Sequence, residues 1–168
     1  RPNGWYDHLG TLYNLAVHQI DQIISLLGMP ERTRFDVRSI HHPGIGDDYY
    51  DLEFFYGSCK ASVNTSMCVQ IDYPRFTLHG TNGSFTLPPV IHNSGKAKPV
   101  GRHQISTAPA PRDRWGTLVY RDGAGQPVTE AVPVGCAHYE RIYDSLIAAI
   151  EHGGEKCVRD EEVIRVLE

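Results

Sequence analysis

Most of the strand-like segments of this chain are separated by gaps too short to cross a sheet, and no other feature limits the fold as strongly. Alternating β-branched and aromatic residues mark 33–40, 48–56, 60–69, 73–79, 84–87, 115–120 and 128–132. Between neighbouring members stand Gly57-Ser58, Gly80-Thr81-Asn82-Gly83 and Asp122-Gly123-Ala124-Gly125, which read as hairpin turns. A parallel crossover needs a dozen or more residues, so strands joined this tightly run antiparallel.

Helical spacing brackets the strands. Leu9, Leu12, Tyr13, Ala16, Ile20, Ile23, Ile24 and Leu27 recur at i, i+3, i+4 and i+7 and predict a helix over 8–27. Asp7 is placed to cap its start, and Gly28 followed by Pro30 to end it in a left-handed turn. Ile142, Tyr143, Leu146, Ile147 and Ile150 predict a second helix over 139–151, stopped by Gly153, and Val163, Ile164, Val166 and Leu167 begin a third. The fold class is therefore α+β: an open, predominantly antiparallel β-sheet with helices packed on one face. Leu52, Phe54 and Tyr56 set against Phe55 and Tyr50 suggest bulk on both faces, so the open face is expected to pair with a second subunit in a homo-oligomer. Between 88 and 114 the chain has Pro88, Pro89, Pro99, Pro109 and Pro111 and reads as a long irregular excursion.

A length of 168 residues with 40% hydrophobic and 21% charged residues suits one soluble globular domain, 1–168. A net charge of −4 without a basic run argues against a nucleic-acid surface. No stretch approaches the roughly 18 to 20 apolar residues of a membrane span, and no signal peptide is visible, so a cytoplasmic protein is expected. Cys59, Cys68, Cys136 and Cys157 lack metal spacing and read as scattered reduced thiols, with a Cys59–Cys68 disulfide as the alternative. The start at Arg1 and the helical pattern still running at Glu168 lead us to expect a piece of a longer protein.

Chemistry is concentrated on the first helix. Asn14, His18, Asp21 and Ser25 are spaced by four, three and four, which at about 100° per residue puts them within an arc of roughly 60°. An imidazole exchanges protons near neutral pH, and Asp21 or Asn14 one turn away can set its tautomer. The same histidine also reads as a polar-seam residue, or as half of an H-x-x-D metal site that lacks its other donors; no metal is assigned. His41-His42 reads as a loop pair. Tyr49, Tyr50, Tyr73 and Arg75 read either as pocket members or as strand surface, Arg75 being a plausible sugar or carboxylate contact. The chain has no G-x-G-x-x-G, no P-loop lysine and no G-x-S-x-G, so a dinucleotide fold or a serine nucleophile of its own is not expected.

Taken in order, G-T-L-Y-N-L-A-V-H-Q-I-D from Gly10 to Asp21, P-R-F-T-L-H-G-T-N-G-S-F from Pro74 to Phe85, W-G-T-L from Trp115 to Leu118 and H-Y-E-R-I-Y-D-S-L-I-A-A-I from His138 to Ile150 resemble the glucose-fructose oxidoreductase / inositol dehydrogenase / rhizopine catabolism (Gfo/Idh/MocA) family. The resemblance implies its C-terminal domain, of the dihydrodipicolinate-reductase-like type found in glyceraldehyde-3-phosphate dehydrogenase-like folds. That domain serves substrate binding and oligomerisation, and the N-terminal Rossmann domain lies outside this chain. It implies a parent that is an NAD- or NADP-dependent dehydrogenase of a sugar, polyol or related hydroxyl compound, with the isolated domain inactive. By position His18 matches the family's acid/base histidine. Asn14 stands where the family has aspartate, as a substrate contact, and Ala16 replaces a glycine. Tyr73, Arg75 and Tyr139 are further substrate-binding candidates. The alternative implied by Asn14 is a noncatalytic sheet module that mediates oligomerisation in a parent that lost dehydrogenase activity.

Overall fold

The computed structural model describes residues 10–41, 43–66, 69–89, 110–135, 138 and 140–167. They fall into two compact units: residues 1–70 together with 158–168, and residues 71–157. Among the described residues seven strands pair antiparallel, as the short turns demand for β2–β3, β4–β5 and β6–β7, in a three-stranded and a four-stranded sheet. The Asp7 cap, Leu9 and most of the 88–114 excursion lie outside the described residues.

In the first unit a π-helical turn, Leu12–Ala16, runs into α1, Val17–Leu27. α1 ends at Gly28, whose N–H donates to Ile24 O at 2.8 Å. Its backbone, φ 79° and ψ −168°, is not the left-handed stop read from the sequence but an extended positive-φ conformation essentially reserved for glycine. Strands β1 (Arg32–Arg38), β2 (Tyr49–Phe55) and β3 (Lys60–Ser66) follow in sheet order. Gly57-Ser58 closes the second hairpin, with Tyr56 and Cys59 exchanging backbone hydrogen bonds of 2.9 and 3.3 Å.

Register decides what each face carries. Tyr50, Leu52 and Phe54 alternate with half-buried neighbours along β2, and Leu52 stands between Phe35 and Val63. With Ala16 from the π-turn and Val63, these three form the buried cluster, against which Leu12, Ile20 and Ile23 pack. Full burial of side chains of this size stabilises by about 1.5–3 kcal/mol each. The small Ala16 lets the helix start approach the strands closely, for its own surface is wholly buried.

The other face corrects one expectation. Tyr50 is an even-numbered residue and shares the face of Leu52 and Phe54, since side chains on a strand alternate with period two. The outer face is a lattice of charge. Glu53 is bonded by Lys60 at 2.6 Å and Arg34 at 3.3 Å, and Arg38 is paired with Asp36 at 2.6 Å. Its two aromatics, Phe55 and Tyr49, lie under the guanidinium groups of Arg32 (3.7 Å) and Arg38 (6.0 Å). α3, Asp160–Leu167, completes this unit, packed against α1.

The second unit holds β4 (Phe76–His79), β5 (Gly83–Leu87), β6 (Gly116–Arg121), β7 (Pro127–Val132) and α2 (Glu140–His152). Sheet order follows chain order. Asp122 accepts the N–H groups of Ala124 (2.9 Å) and Gln126 (2.8 Å) through one carboxylate oxygen and so closes the last hairpin. By register, Phe76, Leu78, Phe85, Leu87, Leu118, Tyr120, Val128 and Val132 share one face; threonines 77, 86, 117 and 129 line the other. The apolar row of α2 forms as predicted, and Ile142, Tyr143, Leu146, Ile147 and Ile150 are exposed along it.

Candidate active site

The polar row of the first helix begins at a seat made by the loop between β1 and β2. Gly10 has φ 66°, and a Cβ there would lie 1.8 Å from Asp47 Oδ1, so both backbone and space require glycine. The next two residues are fastened by three hydrogen bonds. Thr11 N–H donates to Asp47 O (2.8 Å), Thr11 Oγ1 donates to Asp47 Oδ2 (2.7 Å), and the N–H of Leu12 donates to the same Oδ2 (2.7 Å). An acidic cap at a helix start satisfies N–H groups that have no partner within the helix. Asp47 therefore caps the start of the described helix.

The turn that follows is π-helical, a rare geometry found mostly as single turns and often at functional sites. A wider turn advances by less than the α-helical 100° per residue, which brings residues four apart closer to one line. Asn14 lies in this turn and His18 at the second residue of α1. Asn14, His18, Asp21 and Ser25 are all exposed, so the polar row is open to a ligand along its length. One position on, Gln19 Oε1 accepts the hydroxyl of the buried Tyr50. Burial pushes the Tyr50 hydroxyl above its ordinary pKa, which keeps the donor protonated.

The apolar side of the same helix borders a cavity of about 330 Å³. Leu12, Tyr13, Val17 and Ile20 line it with Phe35 of β1 and Leu167 of α3, whereas Asn14 and His18 do not. This apolar concavity and the polar row are thus separate features. Among the described residues no group of three or more His, Cys, Asp or Glu side chains is placed to hold a metal. Cys59 and Cys157 are free and exposed.

Of the other candidates, Tyr73 and Arg75 belong to the second unit, just before β4, and both are exposed. The Arg75 N–H donates to Leu87 O (2.9 Å), which extends the β4–β5 ladder by one residue and leaves the guanidinium free of that pairing. Tyr139 lies outside the described residues. Sequence reasoning did not find Asp47. The signal was there in Gly10-Thr11, a flexible residue and a hydroxyl that need a partner, and in the acidic pair Asp47-Asp48 at the start of a strand.

Comparison with known proteins gives the class. The profile of the oxidoreductase family C-terminal alpha/beta domain (GFO_IDH_MocA_C) matches residues 4–168, and the chain belongs to that family. It is 37% identical over 161 residues to the uncharacterized oxidoreductase YhhX of Escherichia coli (strain K12), covering 95% of this chain and 46% of that protein. It is 30% identical over 164 residues to scyllo-inositol 2-dehydrogenase (NADP(+)) IolW of Bacillus subtilis (strain 168), covering 95% and 45%. A crystal structure of an oxidoreductase from Bacillus cereus superposes with a TM-score of 0.77 at 30% identity, over 99% of this chain and 51% of that one. The chain thus spans less than half the length of these two curated relatives. No helix among the described residues is long and apolar enough to cross a membrane.

Proposed function

We propose that residues 1–168 act together as the substrate-binding domain of an NAD- or NADP-dependent oxidoreductase for a sugar, polyol or related hydroxyl compound. The observation that carries this reading is the exposed row of Asn14 and His18 on a helix held in place from both ends of its first turns. One family profile spans both compact units, which supports their acting as one domain. The NADP(+) specificity in the name of the Bacillus subtilis relative supports the cofactor class. The matching family profile is that of a C-terminal domain, which supports reading this chain's part as the substrate end, with a Rossmann domain as its N-terminal partner.

The nicotinamide, when bound, supplies a hydride acceptor or donor. His18 takes the proton of the substrate hydroxyl during oxidation and returns it during reduction. Asn14 holds the hydroxyl through its carbonyl or its amide, because an amide both accepts and donates. Unlike an aspartate at that position, it adds no negative charge to favour imidazolium. Tyr73, Arg75 and Tyr139 are proposed as further substrate contacts, on their chemistry and the sequence resemblance. Copies associate through a sheet face, a reading supported by the partly exposed apolar face of β4–β7. The protein works in the cytoplasm.

In the full-length protein, His18→Ala is expected to lower kcat by about 10²- to 10⁴-fold, the usual worth of a positioned acid/base group. An unchanged rate overturns the assignment. Asn14, a neutral amide where the resembled family has aspartate, favours one second reading, a noncatalytic oligomerisation module. That reading gains if full-length wild type reduces neither NAD nor NADP with any polyol while remaining oligomeric by light scattering.

A further inference from the structure

We propose that Asp47 is a positioning residue for the proposed site: it clamps the first turn of the helix that carries Asn14 and His18 and so sets where their side chains are presented. The inference rests on the reading of those two residues given above. It starts from the division of labour between adjacent carboxylates. Asp48 reaches back into its own loop, accepting the N–H groups of Ile40 and His41 at 2.7 Å each, while Ser39 Oγ donates to Gly46 O. The loop that presents Asp47 is thereby braced at its base. Asp47 reaches outward, and both of its side-chain bonds, from Thr11 Oγ1 and Leu12 N–H, converge on the single oxygen Oδ2.

That convergence fixes more than the end of a helix. Leu12 is the first residue of the π-turn, and Asn14 lies two residues later in it. A π-turn leaves the local ladder irregular, so its first N–H needs an outside acceptor to define the path. The second anchor comes one residue past His18, where Gln19 Oε1 receives the Tyr50 hydroxyl. Asn14 and His18 thus sit between two fixed points, both supplied by the segment 47–50. Gly10 serves this arrangement by leaving room for the other Asp47 oxygen. Catalytic placement tolerates little error, a shift of about 1 Å being able to cost on the order of 10²-fold in rate.

The geometry makes the variants informative. An asparagine at 47 still offers one oxygen at the Oδ2 position and can accept both bonds; an alanine offers none. Thr11→Val removes the hydroxyl donor alone and preserves shape. The readout is nuclear magnetic resonance of the 168-residue chain, following the His18 ring and the Asn14 side-chain amide, assigned by their loss in His18→Gln and Asn14→Ser. Asp47→Ala and Thr11→Val are expected to move both signals, and Asp47→Asn to restore them. Unmoved signals in folded Thr11→Val overturn the proposal, as does an Asp47→Asn spectrum that matches Asp47→Ala; if Asp47→Ala does not fold, Thr11→Val decides. A rate test that removes His18 from catalysis would overturn the functional reading without moving these resonances, so the two failures are distinguishable.

Discussion

The two sheets share antiparallel pairing and short turns yet manage their apolar residues differently. In β1–β3 a helix start lies on one face and buries Tyr50, Leu52, Phe54 and Val63, while the other face is laced with ion pairs. In β4–β7 most of the apolar side chains share a face but stay partly open, Val119 and Ala131 lie on the other, and Gly116 alone among these strand residues is buried. The same local code therefore yields a covered face where a small residue, Ala16, allows close approach. The lesson is that patterning builds a ladder, and what is laid upon it sets how much each side chain contributes.

The sharpest test removes equal bulk from each sheet. Leu52→Ala empties a position with no exposed surface and should cost about 2–5 kcal/mol, whereas Leu78→Ala, from a side chain 56% exposed, should cost less than about 1 kcal/mol. Equal losses in denaturant unfolding would break the comparison. Next comes the helix exit. Gly28→Ala forces a side chain into a conformation close to glycine-only and should cost about 1–3 kcal/mol by the same measurement. Tyr50→Phe keeps the packing but deletes the bond to Gln19, for an expected loss of about 1 kcal/mol; a neutral result would leave packing alone as the reason for Tyr50.

The smallest effect belongs to the outer face. The Lys60 hydrogen bond, helped by Arg34, holds the Glu53 carboxyl below its ordinary pKa of 4.5. A depressed folded value means the contribution is present above the unfolded pKa and is lost as pH falls through the folded one. Glu53→Gln should therefore lower the melting temperature slightly near neutrality and converge with wild type below about pH 4, so that its acid decline is shallower, with added salt reducing the neutral-pH difference. A full-sized acid decline in Glu53→Gln would show that this lattice does not contribute.

Much of this was legible in the sequence. Each strand and α-helix of the described residues overlaps a segment read from periodicity, with β1, β5, β6, β7 and α2 running one residue beyond it, because hairpin turns such as Gly57-Ser58 leave a strand only one neighbour to pair with. His18 and Asn14 were legible because four residues make one turn of a helix. Asp47 was not, because a cap 36 residues from Thr11 is a tertiary contact: Gly10-Thr11 and Asp47-Asp48 each carry a local signal, but nothing in the sequence pairs the one with the other. The π-turn was hidden for a related reason: Leu12–Ala16 continues the helical spacing of α1, and nothing in that spacing separates a π turn from an α turn. The face of Tyr50 was misread although its parity with Leu52 and Phe54 was available.

α3 has a temporal meaning. Its residues Arg165, Val166 and Leu167 close the cavity beside α1, yet residues 71–157 are synthesised between the two walls. At about 5–20 residues per second, the first helix waits on the order of ten seconds on the ribosome before its last neighbour emerges. During that interval Leu12, Tyr13, Val17 and Ile20 stand with one wall missing. The order of manufacture makes this groove the part of the unit most dependent on protection while the chain is being made.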